Sequence, residues 1–401
     1  MLPLHDSSSM ASTRAKGVPI VYTLHVGNLY GTERMALALL DGMGDRPRHV
    51  FAPPADRGAS LVGEARARGW SAREVGGLGG LVRALLPLFL RHRTLEVVST
   101  SVRHNLICAV LGRLLFVRVR QLNVVHGGGE DRHSYANKRR LNGTATRLVA
   151  VSGFVAGRLR KHGVDGRRIL VIENFLAAGD LLGRPVRPPF AATPGRAARP
   201  LDPGRVRIAV VSRLDPVKRI DVLLDALHAS GMASLVVDVY GGGPDLDAAR
   251  ATAREQALPV RFHGFVADVE RRLPEADLLV HLCPDEPFGL AVLEAFAAGV
   301  PVLVPASGGT GEIVRDGVDG FTCPPGNPEA LAARLRDIFE LAPARLDAIV
   351  ATARDTLAVR FGQAGGVRAY REALAESPRG RVNVRRDRGA AEHGSRSARP
   401  R

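Results

Sequence analysis

The sequence predicts an α/β protein made of two doubly wound parallel-sheet domains in tandem. Three observations carry this expectation. Short apolar runs alternate with helical patterns, the signature of a parallel sheet covered on both faces. The alternation stops near Gly179 and restarts near Val206. The 401 residues suffice for two separate cores. In order, residues 1–17 read as a polar tail, after which VPIVYTLHV is a buried strand and GTERMALALLDGM its helix. HVFAPP, EVVST, VRQLNVVH, RLVAVS and ILVIEN continue the strands of a first domain over 18–178. The Pro-, Arg- and Ala-rich stretch 179–204 lacks periodicity and reads as a linker or long connection. VRIAVVS, LVVDVYG, VRFHGF, DLLVHLC and VPVLVP are the strands of a second domain over 205–360. A final helix over 361–376 is expected to pack back on the first domain, and 377–401 reads as a basic tail. Open parallel sheets bind ligands beyond the carboxyl ends of their strands, so two facing domains make a cleft.

Composition narrows the function classes. The formal net charge of +16 raises nucleic acid or an anionic membrane as partners. Its placement argues otherwise. Eight Arg stand against Asp387 and Glu392 in 378–401, and six Arg against Asp180 and Asp202 in 180–207, so ten of the 16 charges fall in the tail and linker. A solvated tail is preferred to a binding arm, and no specific nucleic acid is expected. Cys108, Cys283 and Cys323 are scattered, odd in number and without C-x-x-C spacing. That argues against a disulfide framework and a zinc site, and for a reducing compartment. The first residues lack a signal-peptide core and no apolar run approaches a membrane span, so a cytoplasmic location is expected. There is no Gly-Lys dipeptide for a Walker A loop, and no G-x-G-x-x-G follows a strand. The one Asp-x-Asp, Asp245-Leu246-Asp247, follows GGGP and opens a helix, where a helix cap is preferred to a metal–diphosphate site.

The chemistry concentrates in the second half. In VSRLDPVKRIDVLLDA, Arg213 leaves a strand and Lys218 stands just before a helix. Two cations at a strand's carboxyl end suit an anion; a solvated loop is the equal alternative. In YGGGPDLD, Gly241 and its neighbours allow either close ligand approach or a tight turn. In SGGTGEIVRDGVDGF, Gly308 and Gly309 precede a helical start whose amides can point at an anion. In PDEPFGLAVLEAFAAGVPVL, residues 290–298 are apolar except Glu294, which predicts a buried helix with one carboxylate that needs satisfaction. Glu286 stands eight positions earlier, a span of roughly 12 Å if helical, comparable to a nucleotide diphosphate from ribose to sugar. A carboxylate only accepts hydrogen bonds, so paired hydroxyls are natural partners: ribose at Glu294 and donor sugar at Glu286. Between them PFGL opens the helix with free amides for phosphate oxygens. The competing reading pairs Glu294 with a buried Arg and leaves Glu286 exposed.

The ordered set SRLDPVK, GGGPDLD, FHGFV, DEPFGLAVLEAFAAGVPV and GGTGEIVRDGVDGF resembles the retaining glycosyltransferases of family four, with Glu286 and Glu294 at the positions of their E-x7-E signature. YGTERMALALL and LVAVSGFVAGRL resemble segments of that family's first domain, so the likeness covers roughly residues 18–375 apart from the linker. The resemblance implies the GT-B fold, two Rossmann-like domains facing across a cleft, with the acceptor on the first and the nucleotide-sugar donor on the second. It implies that Arg213 and Lys218 bind the donor diphosphate, that Glu294 holds the ribose and Glu286 the sugar, and that the amides of Phe288, Gly289 and Leu290 meet phosphate and sugar. It places Gly31 near the diphosphate and His126 near the reacting centre, with no metal or other cofactor required. His104, near the end of the preceding strand, has a weaker case. Two departures stand out: Tyr30-Gly31 where the family has Gly-Gly, and Cys283-Pro284-Asp285 where Ser commonly precedes the first Glu. The expected activity is transfer of a sugar from an NDP-sugar to an acceptor hydroxyl with retention, in polysaccharide or glycolipid synthesis. The alternatives are a GT-B epimerase or phosphorylase, or a non-catalytic protein binding nucleic acid or lipid through its tail. Two stretches, LGGLVRALLPLFLRHR and NLICAVLGRLLFVRVR, mix apolar residues with Arg. They read as helices covering the sheet, Pro87 interrupting the first, with peripheral contact to the inner face of a membrane as the other option.

Overall fold

The computed structural model describes residues 17–56, 58–127, 132–177, 185–192, 206–230 and 235–376. Nearly all of the N-terminal tail, most of the linker and the basic tail lie outside the described residues. The first domain is a seven-stranded parallel sheet in the order β3-β2-β1-β4-β5-β6-β7. Its strands are β1 Ile20–Thr23, β2 Arg48–Ala52, β3 Ser71–Glu74, β4 Thr94–Ser99, β5 Arg118–Val125, β6 Arg147–Ala150 and β7 Ile169–Val171. Its helices are α1 Gly31–Asp41, α2 Leu61–Ala67, α3 Gly77–Arg91, α4 Val102–Leu114, α5 Arg132–Lys138 and α6 Gly153–Lys161. The second domain is a six-stranded parallel sheet in the order β10-β9-β8-β11-β12-β13. These strands are β8 Arg207–Val211, β9 Val236–Tyr240, β10 Val260–Gly264, β11 Leu278–Val280, β12 Val302–Pro305 and β13 Phe321–Cys323. The accompanying helices are α7 Ile220–Ser230, α8 Leu246–Glu255, α9 Leu290–Ala298, α10 Gly308–Ile313, α11 Pro328–Phe339, α12 Pro343–Arg360 and α13 Gln363–Ala375.

The central strands are apolar because both faces are covered: every residue of β1, β6 and β12 is buried. In each sheet the winding direction reverses between two neighbours, β1 and β4 in the first and β8 and β11 in the second. Loops leaving those strands diverge and leave a crevice at their carboxyl ends, the place where such sheets take ligands. That geometry puts the segments after β8 and β11 side by side.

Three segments differ from the sequence expectation or refine it. Pro87 does not interrupt α3, which runs through it to Arg91. The lost amide and the crowding of the preceding turn are offset by the buried stripe Leu81, Leu85, Leu88 and Phe89. Residues 185–192, inside the stretch read as a linker, are packed on the second domain. Arg187 is buried, pairs with Asp277 at 2.7 Å and stacks its guanidinium on Phe190. Asp347 accepts from the amides of Phe190 and Ala191 at 2.7 and 3.0 Å. At the other end, α13 lies on the first domain. Gln363 donates to the Ala38 carbonyl at 2.7 Å, Arg147 pairs with Glu376 at 2.7 Å, and Tyr370 is fully buried.

Candidate active site

The segment 284–290 connects β11 to α9 at the second crevice, and neighbouring backbone holds it rigidly. Ser307 Oγ donates to the Pro284 carbonyl at 2.8 Å, and the Gly309 amide to the Glu286 carbonyl at 2.6 Å. Gly289, the residue before α9, has φ +101°, and a Cβ there would lie 2.5 Å from Thr310 Cγ2. Only glycine turns the chain into the helix at that point without strain or clash. The amides of Phe288, Gly289 and Leu290 donate to no other described residue, so this helix start presents open donors. Phe288 itself is buried, edge-on to Phe361 at 5.9 Å, so its side chain anchors the loop.

Glu286 lies at the focus of this turn. Lys218 Nζ donates to its Oε2 at 2.6 Å, and His281 Nε2 lies 3.1 Å from the same oxygen. Burial works against ionisation of Glu286, but the His281 contact and then Lys218 outweigh it and hold the carboxyl down at about 2. Burial likewise opposes the charge on Lys218, and Glu286 raises it nonetheless. The pair is a preformed carboxylate and ammonium, each able to exchange its partner for a ligand group: hydroxyls at Glu286, an anion at Lys218.

The other expected residues take varied positions. Arg213 is exposed and turned onto Asp215 at 3.0 Å, so it does not join Lys218 on Glu286; the adjacent carboxylate occupies its fork. Glu294 is half-buried, not enclosed as expected. Positions 290, 291, 294 and 297 recur at helical spacing and form one half-buried stripe on α9, while Val292, Leu293, Ala295, Phe296 and Ala298 are buried. Gly241, with φ +141°, lies where a Cβ would be 1.8 Å from the Ser212 carbonyl oxygen, so the turn after β9 packs directly on the end of β8. Asp245 precedes α8 in the cap position but makes no capping hydrogen bond; Asp247 is exposed and sits 3.7 Å from Arg250.

The first domain closes on this loop. Ser152 Oγ donates to the Pro287 carbonyl at 2.6 Å, the Gly153 amide to Glu312 at 2.7 Å, and Arg158 pairs with Asp285 at 2.7 Å. A Cβ on Gly31 would lie 2.9 Å from Leu290 Cδ1, and one on Gly127 would lie 2.3 Å from Pro287 Cγ. The tight approach at Gly31 brings the first helix onto α9, and the one at Gly127 sets His126 one residue from the Glu286 loop. Farther out, Arg34 pairs with Glu270 at 3.2 Å, and Tyr30 meets Phe265 edge-on at 6.4 Å.

The sequence reading missed two groups. His281 is the second partner of Glu286, and the sequence hint was its position two before Cys283 at a strand end. Lys138, in the ANKRR run, is buried near the carboxyl ends of the first sheet. It donates to Asn123 Oδ1 at 2.9 Å and to the Thr100 carbonyl at 3.2 Å, while His25 Nδ1 meets Thr100 Oγ1 at 2.8 Å. Burial pulls the Lys138 ammonium down to about 8. Burial, then Lys138 and His25, push His126 down to about 3, and neither of its ring nitrogens has a hydrogen-bond partner among the described residues. Burial, then His25, pushes His104 down to about 4.

Comparison with known proteins agrees with this geometry. Residues 195–355 match the family described as glycosyl transferases group 1. The D-inositol 3-phosphate glycosyltransferase of Streptomyces scabiei is 30% identical over 262 residues, covering 59% of this chain and 56% of that protein. A GDP-mannose-dependent alpha-(1-6)-phosphatidylinositol dimannoside mannosyltransferase of Mycobacterium tuberculosis is 34% identical over 142 residues, covering 34% of this chain and 36% of that protein. The chain thus aligns with about half the length, or less, of the curated relatives it matches. Among solved structures, Anabaena HepE in complex with UDP-glucose superposes with a TM-score of 0.72 at 20% identity, covering 89% of this chain and 99% of that one. WaaG, a glycosyltransferase involved in lipopolysaccharide biosynthesis, superposes with a TM-score of 0.63 at 15% identity, covering 89% and 99%. The two parallel-sheet domains facing across a cleft are the GT-B fold.

Proposed function

We propose that the protein transfers a glycosyl group from an NDP-sugar to an acceptor hydroxyl, with retention at the anomeric carbon. The observation that carries this reading is the ionised Glu286 paired with Lys218 beside the open amides of Phe288, Gly289 and Leu290, inside the segment that matches glycosyl transferases group 1. In this reading Glu286 accepts from donor-sugar hydroxyls and Glu294 from the ribose. Lys218 releases Glu286 for the diphosphate, where Arg213, freed from Asp215, joins it. As the glycosyl–oxygen bond breaks, negative charge grows on the leaving phosphate, and these cations and the amides are aimed at it. The step is assigned to protein groups with no metal or other cofactor. The leaving phosphate oxygen takes the acceptor's proton as the acceptor arrives on the same face. His126, kept neutral by burial, is placed to position the acceptor hydroxyl rather than to donate charge. The domain contacts at Ser152, Gly153 and Arg158 exclude water and so limit hydrolysis.

The acceptor is a saccharide or a lipid-linked molecule in polysaccharide or glycolipid synthesis, reached from the inner membrane face. Supporting a membrane contact, Leu78, Leu86 and Leu90 on α3 and Val110, Leu114 and Phe116 on and after α4 are exposed beside Arg83, Arg91 and Arg113. No acidic residue lies on α3 or α4. Among the described residues no helix is long and apolar enough to cross a membrane. Stronger sedimentation with anionic than with neutral vesicles, lost on Leu90→Glu with Leu114→Glu, supports the contact; equal recovery with both vesicle types removes it.

Calorimetry and thermal shift with UDP-, GDP- and ADP-sugars test the donor, since binding to the native state stabilises it. Product NMR reports the anomeric configuration. Glu294→Ala should weaken nucleotide binding, and Glu286→Ala should cost turnover more than nucleotide affinity. Equal, mild effects from both remove these assignments.

A further inference from the structure

We propose that His281, Cys283 and Glu286 form a binding site for a divalent cation of the zinc type, and that filling it closes the donor pocket. The absence of C-x-x-C spacing hid this possibility in the sequence, because the ligands come as His281-x-Cys283-x-x-Glu286 around the end of β11. The fold brings one ligand atom of each to within 4.8 Å of the others, and His281 Nε2 to 3.1 Å from Glu286 Oε2. Tetrahedral zinc, with bonds of about 2.0–2.3 Å, needs its ligand atoms about 3–4 Å apart. The adjustment is therefore a small side-chain rotation. Imidazole, thiolate and carboxylate together are a donor set that suits zinc over magnesium or calcium.

The burial of the ligands and the geometry of the His281 contact also point to a ligand. His281 is 6% exposed, and its buried Nε2 approaches Glu286 Oε2 at 3.1 Å without making an aligned hydrogen bond. A buried polar atom without an aligned bond is costly, and a cation held between it, Glu286 and Cys283 would satisfy it. Cys283 is also buried, whereas Glu286 and Lys218 are only partly so, which gives the cation access from the cleft and leaves its fourth position open there. On binding, the Cys283 S–H proton passes to solvent and the thiolate becomes the ligand. Lys218 leaves Glu286 Oε2, because an ammonium and a metal cation cannot share that oxygen. The cation then withdraws the carboxylate from hydroxyl recognition and displaces the lysine.

The competition rests on reading the cleft as the donor site; the metal site itself does not. The test uses the full chain, stripped with chelator and kept in a non-thiol reductant, titrated with Co2+ alone. One equivalent should bring a thiolate-to-cobalt charge-transfer band and visible bands of four-coordinate intensity, all removed by added Zn2+. Cys283→Ser should abolish the charge-transfer band, while Cys108→Ser with Cys323→Ser should keep it. His281→Asn should lower metal affinity by more than the roughly 10–100-fold typical of groups one step removed from a metal. Zn2+ protection of Cys283 against alkylation in the unmodified chain, read by mass spectrometry, supplies the measurement if a variant fails to fold. Lack of both the band and the protection, or a band that survives Cys283→Ser, overturns the site. Zinc at ten times its own Kd should raise the apparent Kd of whichever of UDP, GDP and ADP binds about tenfold. Binding of that nucleotide unchanged by bound zinc overturns the closure. No binding of UDP, GDP or ADP without metal would instead remove the donor reading, while the cobalt band would still stand for the metal site.

Discussion

The Lys218–Glu286 pair is the most quantitative handle on the site. Holding a carboxyl at about 2 instead of its ordinary 4.5 corresponds to about 3 kcal/mol favouring the ionised form in the folded protein. His281 shares that effect with Lys218, and both work against the cost of burying the carboxylate. Side-chain exposures of 20% for Lys218 and 14% for Glu286 leave little screening to discount. A cycle of Lys218→Ala, Glu286→Gln and the double variant, read by urea unfolding at neutral pH, should give a coupling within the range of about 0.5–3 kcal/mol seen for side chains in direct contact. The sign of its pH dependence follows from a depressed carboxylate. The stabilisation is complete above the unfolded value near 4.5 and is lost as pH falls towards about 2, so the coupling should shrink from pH 4.5 downward. In turnover, Lys218→Ala removes a cation aimed at the leaving phosphate and should lower kcat about 100–1000-fold. A coupling within about 0.3 kcal/mol of zero at neutral pH would refute the pair as an energetic unit. Unaltered turnover would refute its place on the diphosphate.

Three further outcomes follow. Gly289→Ala forces a Cβ into a backbone with φ +101° and to 2.5 Å from Thr310, and should destabilise the protein by about 1–3 kcal/mol in urea unfolding; a loss too small to measure would show that the turn relaxes. His126 is held near 3, so a pH–rate profile between 5 and 8 should show no inflection that His126→Asn removes; an inflection near 6.5 lost in that variant would show a charged histidine at work. Asp277→Ala strands Arg187 with both partners at most 7% exposed, and should cost about 3–5 kcal/mol; an effect below about 1 kcal/mol would mean that residues 185–192 do not brace the second domain.

Much of the architecture was legible because it is written in local patterns. The fully buried strands β1, β6 and β12 are apolar runs, and their alternation with helices reveals the parallel sheets. The strands the sequence reading passed over are the edges. In β3 the residues Ser71, Arg73 and Glu74 are exposed, and β13 has only three residues, so neither carries a strong apolar signal. The packed segment at Arg187 looked like a linker because its charge and prolines resemble solvated chain; its buried pairing depends on Asp277, ninety positions away.

The same division runs through the site. The residue types and spacing around Glu286, Lys218 and the turn at Gly289 are local properties of the chain, and so the sequence determined the second crevice's chemistry. Only the tertiary structure decided which partner each charge takes. It set Lys218 and His281 on Glu286, turned Arg213 to Asp215, left Glu294 half-buried, and placed Lys138 in a buried polar network near His126. Such pairings depend on distances between loops that leave different strands, and on how far each is desolvated. Neither quantity exists until two sheets have formed and closed on each other.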